Sequence, residues 1–105
     1  MKDIRIDIGV YTALEIDLSV FDFAGVEKVI FTVKNYPTPE APEIIERVFT
    51  EPGIHEAVIT PEESLALKST AEYDFSAVLA DGKRHKVTDN GKVVLRKAVG
   101  DSIDD

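Results

Sequence analysis

The amino-acid sequence predicts an all-β fold, an antiparallel β-sandwich of seven or eight short strands. Three observations predict it. Apolar residues alternate with polar ones in segments 4–8, 14–18, 28–34 and 72–79, and a period of two is typical of strands with one buried face. Turn dipeptides punctuate the chain at short intervals. The length of 105 residues suits one domain, which we expect to span residues 1–105.

Three weaker strands complete the predicted set, at 43–50, 55–60 and 92–99. The prolines of segment 37–42 remove backbone donors and predict a loop or a crossover at a sheet edge. Tight turns are expected where glycine or asparagine accepts a positive φ at low cost, namely at Pro52-Gly53, Asp81-Gly82 and Asn90-Gly91. The short acidic end, residues 100–105, is expected to fray.

One short helical turn is predicted near residues 61–67. Thr60 can cap its N-terminus, Pro61 suits the first helical position, and Glu63 completes a capping box. We expect Leu65 and Leu67 to cover one end of the core.

The composition excludes several classes of protein. Twelve basic and 20 acidic residues give a net charge of -8, which disfavours nucleic acid and anionic membrane surfaces as partners. No apolar run reaches the roughly 18 residues of a membrane-spanning helix, so we expect no membrane insertion. The absence of cysteine excludes disulfides and thiolate metal sites. The chain starts without the apolar stretch of a signal peptide, which favours synthesis in the cytoplasm.

We expect no catalytic, metal-binding or cofactor-binding site, and we interpret the chain as not an enzyme. The two histidines, His55 and His85, are not accompanied by the Gly-x-Ser-x-Gly elbow of a serine nucleophile. The paired carboxylates are expected to be solvated rather than opposed across a groove. Segment 89–91 has the composition of a calcium loop but is fully explained as a hairpin turn.

Exposed aliphatic residues point instead to a protein-interaction surface. Ile30, Val78 and Val94 each interrupt the polar face of a predicted strand. If these strands are neighbours, the three side chains form one outer patch suited to a protein partner or to a second copy of the chain. Tyr36 stands at the base of the proline-rich loop 37–42, which can act as a contact arm. These four residues are the candidate interaction surface.

The order of features along the chain carries a resemblance to a known family. Leu14-Glu15-Ile16-Asp17-Leu18 runs into Phe21-Asp22-Phe23-Ala24-Gly25, and a long strand follows at 26–33. Downstream lie Gly53-Ile54, the capped turn at 60–63, a strand entered through Ala71-Glu72-Tyr73-Asp74-Phe75, and the closing run 91–95. This order resembles the immunoglobulin-like N-terminal domain of phage baseplate upper proteins and related small tail-associated proteins. The resemblance implies an immunoglobulin-like antiparallel β-sandwich and a structural role in a tail assembly, with no catalytic residues to carry over.

These observations favour a non-catalytic structural or binding module of a phage or prophage tail or baseplate. Such a module is virion-associated once assembled, and its partners are other proteins or further copies of itself in a homo-oligomer. Two alternatives stay open. A small acidic decoy for a host DNA-binding protein requires one continuous acidic face. A carbohydrate-binding module requires exposed aromatic platforms, whereas this chain has no tryptophan and three scattered tyrosines.

Overall fold

Eight strands and one short helix form in the computed structural model, which describes residues 2–19, 21, 23–87 and 90–97. The predicted all-β character is therefore confirmed. Residues 98 and 99 of the last predicted strand, and the acidic end at 100–105, lie outside the described residues. The elements are β1 Ile4–Ile8, β2 Thr12–Asp17, β3 Val26–Lys34, β4 Glu43–Phe49, β5 Ile54–Ile59, α1 Pro61–Leu65, β6 Glu72–Leu79, β7 Arg84–Lys86 and β8 Gly91–Lys97.

The strands form a large sheet and a small one. The large sheet has the order β1-β8-β6-β3-β4, with β7 also paired to β6, and the small sheet consists of β2 and β5. All neighbours pair antiparallel except β1 and β8, which run parallel. The prediction of a wholly antiparallel fold is wrong at this one pairing. The reason is that no hairpin joins β1 to β8, so turn geometry does not impose an antiparallel direction.

Alternate residues of both sheets share one hydrophobic core. Leu14 and Ile16 of β2 and Ile59 of β5 are buried with Phe31 of β3 and Phe75 of β6. The rings of Phe31 and Phe75 are tilted, with centroids 5.3 Å apart. Burying an aliphatic or phenyl side chain of this size contributes about 1.5–3 kcal/mol each. The period of two in the sequence is thus the pattern that places one face of each sheet against the other.

The predicted helical turn is confirmed over Pro61–Leu65 and begins with the predicted capping box. The backbone N–H of Glu63 donates to the hydroxyl of Thr60 at 3.2 Å, and the Thr60 N–H donates to the Glu63 carboxylate at 3.0 Å. Ser64 is fully buried, where its hydroxyl donates to the Pro61 carbonyl and accepts from the N–H of Gly9. Leu67 covers the core as expected.

The prediction that Leu65 covers the core is wrong, because its side chain is exposed. The helix turns its Ser64 face inward instead, and this face is tied to the turn between β1 and β2. Leu65 follows Ser64 directly, and adjacent helical residues do not share a face.

Strand β6 divides one of its edges between two partners. Its first residues, Glu72 and Tyr73, pair with the start of β8, and Ser76 to Val78 pair with β7. Gly91 lies opposite Tyr73 at the first position of β8, and its φ is not positive. The prediction that Gly91 is a glycine because a tight turn needs a positive φ is therefore wrong. Glycine is required because the Tyr73 ring occupies the space of a side chain. The other two predicted turns are confirmed by positive φ at Gly53 and Gly82.

Candidate functional site

The outward face of the large sheet presents four rows of side chains that cross its central strands. The strand register places neighbours side by side in each row. The first two rows are aliphatic and basic apart from Ser76, and the last two mix acidic, basic and polar residues. Ile30, Thr32 and Ser76, at the centre of the face, are buried among the side chains around them. From one end to the other, the rows are Lys28, Val78 and Arg84; Val48, Ile30, Ser76 and Lys86; Glu46, Thr32 and Asp74; and Glu43, Lys34, Glu72 and Lys92.

Three aliphatic residues at one end of this face form a continuous group, here termed the apolar strip: Ile30, Val48 and Val78. Ile30 lies opposite Val48 on β4 and one row from Val78 on β6. The neighbouring side chains leave only 6% of Ile30 exposed, whereas Val48 is 48% exposed. Two predicted residues, Ile30 and Val78, are therefore brought together, and Val48 is an addition that depends on the pairing of β3 with β4.

Val94 lies apart from the apolar strip. Lys92 is level with Glu72, which lies six residues along β6 from Val78, and Val94 lies two residues beyond Lys92. At about 3.4 Å per residue, the separation along β6 alone is roughly 20 Å. Val94 is instead opposite Arg5 of β1 and is exposed there as a single aliphatic residue. The structure thus does not bring Ile30, Val78 and Val94 into one patch.

Three basic residues border the apolar strip, and they are here termed the cationic end: Lys28, Arg84 and Lys86. Arg84 donates to the hydroxyl of Thr32 at 3.4 Å, and Lys86 contacts the side chain of Asn90. In the described part of the chain, the ion pairs join Arg5 to Asp7 and Arg47 to Glu63, and none involves the cationic end. None of the three thus forms an ion pair within the described residues, although the charges of Lys28 and Arg84 also act on Glu46.

Tyr36 and the proline-rich loop line a groove that begins at the opposite end of the same face and reaches Lys86 of the cationic end. The groove has a volume of about 220 Å³, and its charged lining mixes Lys34 and Lys86 with Glu72 and Asp74. Tyr36 is about half exposed, and the ammonium group of Lys68 lies 3.3 Å from its hydroxyl oxygen. The structure therefore places Tyr36 beyond the acidic third row and separate from the apolar strip.

The outward face of the small sheet, here termed the acidic face, combines three carboxylates with three apolar side chains. Its cross-strand pairs are Ala13 with Val58, Glu15 with Glu56, and Asp17 with Ile54. Ile54 is 66% exposed, and Val58 is 42% exposed. Glu15 and Glu56 place like charges directly opposite each other, an arrangement that destabilises a strand pair.

The acidic face belongs to two segments that hold nine acidic residues and no lysine or arginine, residues 6–27 and 48–67. Outside these segments, the remaining 11 acidic residues are balanced by 12 basic residues. The two segments therefore supply the whole of the negative net charge. This segregation was visible in the sequence as two stretches without a basic residue. It was not recognised as a surface, because only the pairing of β2 with β5 brings the two stretches together.

Arg47 joins the edge of the large sheet to the small sheet and to α1. Its guanidinium donates to the Val58 carbonyl at 3.0 Å and to the Glu63 carboxylate at 2.6 Å. Partial burial raises the pKa of Glu63. The hydrogen bonds from Arg47 and from the Thr60 N–H, together with the charge of Arg47, lower the pKa by more than burial raises it, so the pKa of Glu63 is below its ordinary value. Arg47 and Glu63 thus act as a clip between the two sheets.

A second carboxylate pair lies on β4, where Glu43 and Glu46 are hydrogen-bonded neighbours. That hydrogen bond is the main cause that raises the pKa of Glu46; burial and the charge of Glu43 add to it, while Arg84 and Lys28 oppose it.

Among the residues that the structure describes, no group of three His, Asp or Glu side chains is arranged to hold a metal ion.

The two histidines lie on different elements. A ring nitrogen of His55 is 2.8 Å from the Glu51 carbonyl, and its ring lies beside that of Phe49. His85 is exposed on β7.

No helix within the described ranges is long and apolar enough to cross a membrane.

The chain matches no family model, no curated protein and no solved structure. The assignment of function therefore depends on the sequence pattern and the geometry of this chain.

Proposed function

We propose that this chain is a non-catalytic structural or binding module with an immunoglobulin-like β-sandwich fold. The strand order supports the proposal, because β8-β6-β3-β4 corresponds to the G, F, C and C′ strands of a variable-type immunoglobulin sheet. The pair of β2 and β5 corresponds to the B and E strands of the opposite sheet. In this correspondence the small sheet consists of two strands, and neither of its edges pairs with another strand among the described residues.

The sharper form of the proposal is an assembly component of a phage or prophage tail or baseplate, associated with the virion. It is supported by the resemblance of the chain to the immunoglobulin-like domains of baseplate upper proteins. A structural role in such a particle requires surfaces that bind other proteins repeatedly and specifically. The two sheet faces of this chain are the surfaces available for that role.

The observation that carries the proposal is the apolar strip with its cationic end. An interface needs a desolvated apolar centre and a polar rim, and the rim charges fix the orientation of the partner. Val48 supplies exposed apolar area beside the covered Ile30, and Lys28 and Arg84 supply the rim. We therefore expect the outward face of the large sheet to bind protein through its first two rows.

The test is the effect of Val48→Asp on association. Light scattering over a wide concentration range measures self-association, and titration calorimetry measures binding to purified phage tail and baseplate proteins. We expect Val48→Asp to weaken the association at least about tenfold. Val87→Asp is the matched control, because Val87 is similarly exposed but follows β7 outside the apolar strip. Wild-type protein that neither self-associates nor binds any tail protein would refute the proposal.

The acidic face favours one second candidate, a decoy that occupies the DNA-binding surface of another protein. Glu15, Asp17 and Glu56 present carboxylates without an intervening basic side chain. Binding of a DNA-binding protein that duplex DNA displaces would support this function. The mixed charges on the outward face of the large sheet confine the carboxylate surface to one side of the molecule.

A further inference from the structure

The acidic face is a sheet surface that the described residues leave uncovered. Ile54 and Val58 are exposed at its two ends, and Glu15 and Glu56 lie between them. Each carboxylate is desolvated on contact with a partner, which is costly unless a cation compensates it. A protein that covers this face must therefore carry both cations and apolar side chains, interspersed at the spacing of a sheet.

The cationic end and the apolar strip of the same chain have this composition. Lys28 and Arg84 flank Val78 in one row, and Lys86 shares the next row with Ile30 and Val48. The partner surface thus offers three cations and the aliphatic side chains of Val48 and Val78, which lie beside the covered Ile30, to three carboxylates and three apolar residues. The acidic face covers three rows on two strands, and the apolar strip with the cationic end covers two rows on four strands, so the long dimension of each surface is roughly 14 Å. Long, flexible lysine and arginine side chains can adjust to the carboxylates.

We propose that the acidic face of one copy docks on the cationic end and apolar strip of a second copy. The inference rests on the proposed assembly role and names the partner. The two surfaces are the outward faces of the two sheets, on opposite sides of the shared core. The contact is therefore head-to-tail, and repetition gives either a closed ring or a growing chain of copies.

The composition of the acidic face favours a second copy over a DNA-binding protein. A protein surface that binds the phosphate backbone is dominated by lysine and arginine. Its ligand, or a decoy for that ligand, must present closely spaced negative charges. In the acidic face, by contrast, aliphatic side chains alternate with the carboxylates. The apolar strip offers matching aliphatic residues next to the cations, so that contact with a second copy removes apolar area from water on both sides.

Two charge-reversal variants test the docking pair. Glu15→Lys/Glu56→Lys reverses the acidic face, and Lys28→Glu/Arg84→Glu reverses the cationic end. The first variant keeps a like-charge pair between β2 and β5, so its folded stability should remain close to that of the wild type. Circular dichroism checks the fold of each variant. Asp3→Lys/Glu40→Lys is the matched control for the first variant, since it raises the net charge by the same amount at exposed positions away from both surfaces.

Light scattering at low salt is expected to show association of the wild type and of the control. Each reversed variant should associate at least about tenfold more weakly, because like charges then face each other. An equimolar mixture should recover association, since every contact between the two variants is again between opposite charges. About 1 M salt, where the Debye length is about 3 Å, should weaken wild-type association.

A mixture that stays monomeric while the wild type associates would overturn the docking pair and leave the assembly role standing. The assembly role is tested separately, by the binding of phage tail proteins and by the effect of Val48→Asp on that binding. Wild type that is monomeric at every concentration also overturns the second copy as partner. Binding of a DNA-binding protein to such monomers, displaced by duplex DNA, would assign the acidic face to the decoy function instead.

Discussion

Gly91 has no room for a side chain, and Gly91→Ala tests whether the Tyr73 ring is as rigidly held as its contacts indicate. An added Cβ would lie 2.5 Å from Cζ and 2.8 Å from the hydroxyl oxygen of Tyr73, and close to Cε1 as well. Ordinary contacts between such atoms are about 3.5–4.0 Å. Either the ring or strand β8 must therefore move.

The ring of Tyr73 has little freedom to move. It is 5% exposed, its centroid is 5.7 Å from that of Phe31, and its hydroxyl donates to the Lys2 carbonyl. Overpacking a core typically costs about 1–3 kcal/mol, and loss of the hydroxyl bond adds about 1 kcal/mol. The reduced entropy of the unfolded chain offsets about 0.4–1 kcal/mol. We expect Gly91→Ala to lower the free energy of unfolding by roughly 1–3 kcal/mol.

Urea unfolding followed by circular dichroism measures this change as a lower midpoint at an unchanged slope. A double-mutant cycle with Tyr73→Phe is the control. If the added methyl group breaks the hydroxyl bond, Gly91→Ala should cost about 1 kcal/mol less in the Tyr73→Phe background. An alanine variant as stable as the wild type would contradict the assignment of Gly91 to the packing of Tyr73. The same cost in both backgrounds would show that the hydroxyl bond survives the added methyl group.

Two further predictions concern the small sheet and its clip. The lowered pKa of Glu63 means that its contribution to stability is complete above the unfolded pKa of about 4.3 and is lost as the pH falls through the lower folded pKa. Wild type should therefore lose more thermal stability than Glu63→Gln between pH 7 and pH 3, and equal losses would count against the clip. Glu56→Lys replaces a like-charge pair with an opposite-charge pair beside Glu15, so urea unfolding at low salt and low protein concentration should show a gain of about 0.2–1 kcal/mol. A loss of stability would show that the register of β2 with β5 is wrong.

Local sequence patterns were sufficient to predict the elements that depend on local chemistry. Alternation predicted the strands around Ile16, Phe31 and Phe75, because burial of one face imposes a period of two. The capping box at Thr60 and Glu63 was also predictable, since its hydrogen bonds join residues three positions apart.

Features that depend on pairing across the chain were not predictable. The structure brings Ile30 and Val78 together, although Ile30 is buried rather than exposed. The position of Val94 depends on the register of β6 with β8, which no local pattern contains. Val48 joined the patch only through the pairing of β3 with β4. Gly91 was interpreted from its asparagine neighbour as a turn residue, whereas a ring 18 positions earlier in the chain determines it.

The parallel pairing of β1 with β8 also has a mechanical consequence. The register runs from Ile4 opposite Val93 to Ile8 opposite Lys97, so the start of one strand and the end of the other lie at opposite ends of the pair. Tension that enters through β1 and leaves through β8 pulls the strands past each other and loads the hydrogen bonds between them together, in shear. In this geometry the hydrogen bonds between β1 and β8 cannot break one at a time. A chain pulled along this axis should therefore yield at a higher force than one pulled through the ends of a hairpin.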